Sequence, residues 1–181
     1  MKIQVIVGSV RETRTAIQVA KWIESALATH SADVEIVDLK EWNLPFYAGI
    51  PPFALNRNYT DELQKKWSEK VLEADAFILI SPEYNHGYSP ALKNALDYLG
   101  TEWKGKPVAF VSYGGTNGSR SIEQIRSVTT QLGLIDLNLS LEIRDIFART
   151  KEQVFTGNDF ENKLILDFAS TLTDVSSKLN G

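Results

Sequence analysis

The sequence contains no cysteine and only two histidines in 181 residues, His30 and His86. The first absence excludes disulfides, thiolate nucleophiles, iron–sulfur ligation and Cys-type zinc sites. The second leaves too little for a His-rich metal site, because the two lie far apart in the chain. No run approaches the roughly 20 apolar residues of a membrane-spanning helix. Positive charge is not in excess: 19 Lys plus Arg stand against 23 Asp plus Glu, a net charge of −4. That balance disfavours nucleic acid and acidic membranes as partners. No secretory pattern opens the chain, since the apolar run at 3–7 is short and soon meets Arg11 and Glu12. The expectation is a cytoplasmic location.

What is present is an ordinary globular composition, 43% hydrophobic and 23% charged. The length suits one domain spanning 1–181, able to bury roughly 70% of its unfolded surface. Four apolar runs rich in Val and Ile stand at 3–7, 34–37, 76–80 and 108–112, with a weaker one near 134–139. Several are nearly continuous, as strands covered on both faces are. Helical stripes lie between them. Ala16, Val19, Ala20, Ile23 and Leu27 share one face, and Leu92, Ala95, Leu96 and Leu99 repeat the spacing. Leu63, Trp67 and Val71 form a sparser stripe, as do Ile122, Ile125 and Leu132. A last helix carries Ile165, Phe168, Ala169, Leu172 and Val175, with a capping box of Asn158 and Glu161 at its start. Five β-α units in sequence predict an α/β fold: a doubly wound, five-stranded parallel sheet with helices on both faces. Residues 39–58 carry no helical stripe but several aromatics and prolines. They read as a lid or subunit contact, or equally as a loop packed on its own domain.

In open α/β sheets ligands bind beyond the carboxyl ends of the strands. Three loops lie there. After the first strand, Gly8-Ser9-Val10-Arg11-Glu12-Thr13-Arg14-Thr15 runs into a helix N-terminus, whose free amides and dipole favour an anion. Two guanidinium groups add fixed charge. The loop is neither a P-loop nor a G-x-G-x-x-G turn. Taken alone, it reads as well as a solvated turn with a Thr N-cap. After the third strand, Ser81-Pro82-Glu83-Tyr84-Asn85-His86-Gly87-Tyr88-Ser89-Pro90 is a constrained loop in which Asn85 and Gly87 tolerate positive φ. Ser89 and Pro90 suit the N-cap and first turn of the next helix. Its amides suit the polar edge of a flat heterocycle, with Tyr84 and Tyr88 available to lie against a ring; Tyr88 serves equally as packing. After the fourth strand, Gly114 and Gly115 permit close approach of a ligand, and Ser119 is placed to cap the following helix.

These residues make the chain resemble the NADPH-dependent FMN reductase family, the flavodoxin-like quinone, azo and chromate reductases. The carrying motifs are Gly8-Ser9-Val10-Arg11, Pro82-Glu83-Tyr84-Asn85, Leu92-Lys93-Asn94-Ala95-Leu96-Asp97, Trp103-Lys104-Gly105-Lys106-Pro107-Val108 and Ser112-Tyr113-Gly114-Gly115, over residues 1 to about 135. The resemblance implies a flavodoxin-like fold with FMN held by its phosphate at Ser9, Arg11, Arg14 and Thr15, with Ala16 in the same set. The isoalloxazine edge would meet Pro82, Glu83, Tyr84 and Asn85, and its other side Tyr113, Gly114 and Gly115. NADPH or NADH would deliver a hydride, and a small-molecule acceptor (a quinone, azo compound, free flavin or metal ion) would then take the electrons. It further implies a homodimer or homotetramer. Many members carry Ser and Asn where this chain has Arg14 and Ala16.

No catalytic side chain is assigned, because placement and electrostatics are the protein's share of flavin chemistry. His86 is the one candidate proton source or nicotinamide contact; Glu83 is read as serving loop geometry, and Lys93 with Asp97 as a helical i, i+4 pair. The alternative is a flavodoxin-like electron carrier that does not itself oxidise NAD(P)H. A serine hydrolase on the same sheet is disfavoured, because no G-x-S-x-G elbow is present.

Overall fold

The structure is a computed structural model, and it describes residues 1–150 and 152–180. Five strands form one parallel sheet: β1 (Lys2–Val7), β2 (Asp33–Asp38), β3 (Ala76–Pro82), β4 (Pro107–Tyr113) and β5 (Ile135–Ile143). Their order is β2-β1-β3-β4-β5. The chain winds one way from β1 to β2 and the other way from β1 through β3, so the carboxyl ends of β1 and β3 flank the switch point. The helices are α1 (Ala16–Ala26), α2 (Leu39–Trp42), α3 (Pro52–Leu55), α4 (Glu62–Leu72), α5 (Pro90–Asp97), α6 (Ser119–Gln131), α7 (Ile146–Arg149) and α8 (Asp159–Asn180). Among the described residues, no helix is long and apolar enough to cross a membrane.

The continuous apolar runs find their reason in the sheet's two covered faces. Every residue of β3 and β4 is buried, whereas the edge strands β2 and β5 are partly open. Successive side chains point to opposite faces. Ile3, Val5 and Val7 pack with Val19 and Ile23 of α1 and with Ile165, Phe168 and Leu172 of α8. Ile6, Phe77, Leu79 and Phe110 pack with Trp67 of α4, Leu96 of α5 and Ile125 of α6. β5 runs four residues past its expected end, to Ile143; its alternating exposure hid that extension in the sequence.

The 39–58 segment holds the short helices α2 and α3 and is pinned to its own chain. Asn94 on α5 donates to the carbonyls of Leu44 (3.2 Å) and Pro45 (2.8 Å) and accepts from the Tyr47 amide (2.9 Å). The Tyr98 hydroxyl donates to the same Pro45 carbonyl at 2.7 Å. The capping box at α8 forms as expected: Asn158 accepts from the Glu161 amide and Glu161 from the Asn158 amide. Ser119 does not cap α6. Gly118 is its N-cap, at φ 92°, and Ser119 Oγ turns back to the Thr116 carbonyl. A side chain at 118 would strike Ser112 Oγ at 2.2 Å, so only glycine fits this turn.

Candidate functional site

The first loop leaves β1 through Gly8, whose amide donates to the Ile80 carbonyl of β3 at 2.8 Å. A Cβ there would sit 2.6 Å from that oxygen. This close approach ties the first and third loops at their roots. Ser89, the N-cap of α5, strengthens the tie by donating from Oγ to the Gly8 carbonyl at 2.5 Å. Ser9 is fully buried, and its hydroxyl lies 2.8 Å from that of Tyr84. The Arg11 guanidinium lies over the Tyr84 ring, 3.8 Å from its centroid. Thr15 is the N-cap of α1 but makes no side-chain cap bond; the Gln18 amide bonds instead to the Thr15 carbonyl at 2.9 Å.

The third loop closes as a two-residue hairpin. Tyr84 and Gly87 exchange backbone hydrogen bonds of 2.8 and 3.0 Å, with Asn85 and His86 between them at φ 50° and 73°. The left-handed positions are therefore Asn85 and His86; Gly87 is not one of them. Positive φ at both central residues is the hairpin geometry of a type I′ turn. The hairpin is locked to the fourth loop, because the Glu83 amide donates to the Tyr113 carbonyl at 2.8 Å. A Cβ on Gly114 would meet the Glu83 Cβ at 2.9 Å, while one on Gly115 would meet nothing within 4 Å. The first glycine is needed for packing between loops; the second leaves open space.

Charge is arranged around these loops. Glu83 Oε1 accepts from Arg120 at 2.5 Å and from Thr116 at 3.0 Å. Burial pushes the Glu83 carboxyl up, but the Arg120 and Thr116 hydrogen bonds outweigh it and hold it below the ordinary range. Arg120 Nη1 also lies 2.6 Å from His86 Nε2. A guanidinium can only donate, so that imidazole nitrogen accepts and is not a proton source in this arrangement. Arg14 pairs with Asp38, the N-cap of α2. Tyr113 is 4% exposed, and burial first of all raises its hydroxyl while the Ala16 amide bonded to it opposes the shift.

Ten of the twelve residues expected to bind cofactor line one cavity of about 200 Å³: Ser9, Arg11, Arg14, Thr15, Pro82, Glu83, Tyr84, Tyr113, Gly114 and Gly115. Ala16 and Asn85 do not line it; Ala16 is fully buried, and Asn85 is exposed at the hairpin tip. Three loops distant in sequence thus meet at the switch point. Thr13, a hydroxyl of the first loop, and Phe147 complete the lining; Phe147 did not stand out in the sequence because it lies past the last recognisable motif. Arg11 and Tyr84 also face a second cavity of about 680 Å³, walled by Val10, Leu44, Pro45, Phe46, Pro90 and Asn94 among others. Tyr88 is half-buried against the α4–α5 side of the core, the packing role. Among the described residues, no cluster of His, Asp and Glu could hold a metal ion.

FMN suits this rim on three observations. The positive end of the α1 dipole lies beside Arg11, for which no carboxylate partner is found among the described residues. Gly115 opens to free space. The buried atoms Arg14 Nε, Glu83 Oε2 and Arg120 Nε lack partners among the described residues.

The comparisons agree on one family. The model of the NADPH-dependent FMN reductases matches residues 1–143. The chain is 42% identical over 130 residues to an NAD(P)H-dependent FMN reductase of Schizosaccharomyces pombe, covering 70% of this chain and 64% of that protein. It therefore spans somewhat under two thirds of that relative's length. It is 31% identical over 172 residues to an FMN-dependent NADPH-azoreductase of Staphylococcus aureus, covering 91% and 88%. Among solved structures, the flavoenzyme NAD(P)H:(acceptor) oxidoreductase FerB of Paracoccus denitrificans superposes with a TM-score of 0.77 at 21% identity, over 98% of this chain and 97% of that one. Flavodoxin 1 of Bacillus cereus does so with a TM-score of 0.58 at 13% identity, over 96% and 98%. At these identities the structural likeness is one of fold.

Proposed function

The chain belongs to the NADPH-dependent FMN reductase family, and from that premise we propose that it is an FMN-dependent NAD(P)H oxidoreductase acting on small-molecule acceptors. The observation that carries this reading is the convergence of the three loops on one cavity at the switch point. When bound, FMN supplies the two-electron relay, accepting hydride from NAD(P)H and yielding the electrons to an acceptor. The protein binds and orients. The start of α1 with Ser9, Thr15 and Arg11 would hold the phosphate, and Arg14 would contribute its Nε, which has no partner among the described residues. Pro82, Glu83 and Tyr84 on one side and Tyr113, Gly114 and Gly115 on the other would line the ring edge, and Glu83 keeps those two loops in register through Arg120 and Thr116.

The second cavity is assigned to the acceptor. Its walls are mostly apolar, with Arg11 and the Lys40–Glu12 ion pair also lining it. A flat apolar molecule such as a quinone or azo dye suits it better than a hydrated metal ion. A homo-oligomer belongs to the same reading: Phe46, Ile50 and Phe53 are exposed on one segment, more apolar surface than a single loop usually leaves in water.

The test is anaerobic. The FMN-loaded protein is expected to lose its yellow colour on addition of NADPH or NADH, and to consume the nucleotide steadily once a quinone is supplied. FMN binding without any nucleotide oxidation would instead make the chain an electron carrier of the flavodoxin kind.

A further inference from the structure

Phe147 is 70% exposed, yet it is held by one of the more firmly anchored short elements of the chain. Helix α7 has only four residues and starts from Asp145 at φ 51°. Its first residue, Ile146, is 1% exposed and embedded in the α1–α8 core. Arg149 at its other end forks onto Glu161, with bonds of 2.7 and 2.5 Å, and also donates to the carbonyls of Arg144 (3.1 Å) and Thr156 (3.2 Å). Its guanidinium further lies over the Phe155 ring at 4.9 Å. Glu161 is itself in the α8 capping box. Thr150 closes the turn by donating to the Ile146 carbonyl at 2.8 Å. Both ends are therefore fixed, and the residue between them presents a bare ring.

That ring lines the 200 Å³ cavity together with Thr13, Thr15, Gly114 and Gly115. Gly115, on the same lining, has open space where a side chain would stand. A pre-positioned aromatic side chain gains contact area at little entropic expense when a flat ligand arrives. We propose that Phe147 is a fourth-segment FMN contact: an apolar cover supplied by α7 that packs on the ring system and shields it from water. It lies outside residues 1–143, over which the family model matches. The inference rests on the FMN reading above and adds to it.

The test is titration of the full chain with FMN and with riboflavin, followed by flavin fluorescence, with melting temperature as the control for folding. Phe147→Ala is expected to weaken both ligands by about the same factor, roughly ten-fold, and Phe147→Tyr to restore binding to within about two-fold of the parent. Phe147→Gln carries the same comparison if the alanine variant melts early. Parental FMN affinity in Phe147→Ala would overturn the inference while leaving the FMN reading standing. Loss of FMN binding with riboflavin binding unchanged would also overturn it, since that places the effect at the phosphate. A parent protein that binds neither flavin would overturn both.

Discussion

Arg11 and Arg14 stand three residues apart and meet different fates. Arg14 turns back into the protein and pairs with Asp38, whereas Arg11 lies exposed over Tyr84. The charge available to an incoming phosphate is therefore chiefly that of Arg11. Arg11→Ala should weaken FMN binding by about 1.5–3 kcal/mol, the worth of a charge-assisted hydrogen bond, and unchanged affinity by fluorescence titration would contradict the assignment. Glu83 gives a second residue-level expectation. Its folded pKa is depressed, so its stabilisation is present above the ordinary glutamate value of about 4.3 and is lost as pH falls through the folded value. In Arg120→Leu burial acts with less opposition and the carboxyl is pushed upward, so the variant should be less stable than the parent at pH 7 and the gap should narrow as the pH falls towards 4. Urea unfolding of parent and variant between pH 7 and 4 measures this. Lys106 is a third case, of opposite sign. Burial lowers its ammonium to about 8, while Asp75 and Glu102 oppose the shift. Between that value and 10.5 the unfolded chain holds more protons, so stability rises with pH in that window. Lys106→Met removes the buried charge and should raise the melting temperature at pH 7 by about 2–4 °C. The gain should shrink towards pH 10.5.

At the scale of elements, Asn94 decides what the 39–58 segment is. One amide side chain on α5 satisfies two carbonyls and an amide of that segment, so a stretch without a hydrophobic stripe is ordered from outside itself. Asn94 and Pro45 both line the larger cavity. Asn94→Ala should cost about 1–3 kcal/mol of stability and expose 44–53 to limited proteolysis; equal resistance to protease in parent and variant would show that the segment is held by other contacts. The same logic explains why the short helices escaped the sequence. α2 and α7 have four residues each, too few for a period to show, and they are specified by partners far away: Asp38 caps α2 while holding Arg14, and Arg149 ties α7 to Glu161 on α8.

For the whole molecule, the parallel sheet was legible because β1, β3 and β4 lie between two layers and read as nearly continuous apolar runs, broken in β1 only by the buried Gln4. The rim was legible because a strand end followed by glycine, hydroxyls and a helix start carries its own chemistry, and topology then brings three such turns together. What could not be read were the long-range polar contacts: Glu83 with Arg120, His86 with Arg120, Ser9 with Tyr84. These depend on which side chains face each other across loops, and no periodicity encodes that. Asn85 shows the limit from the other side, since its motif is recognisable but its place is the tip of a hairpin, outside the cavity lining. The measurement that bears most directly on the account is a crystal structure of the full chain grown with excess FMN. The account predicts the phosphate against the Ser9–Thr15 turn and the start of α1, with the ring edge against 82–84 and 113–115. FMN lodged at another surface, or a rim left empty at saturating FMN, would contradict it.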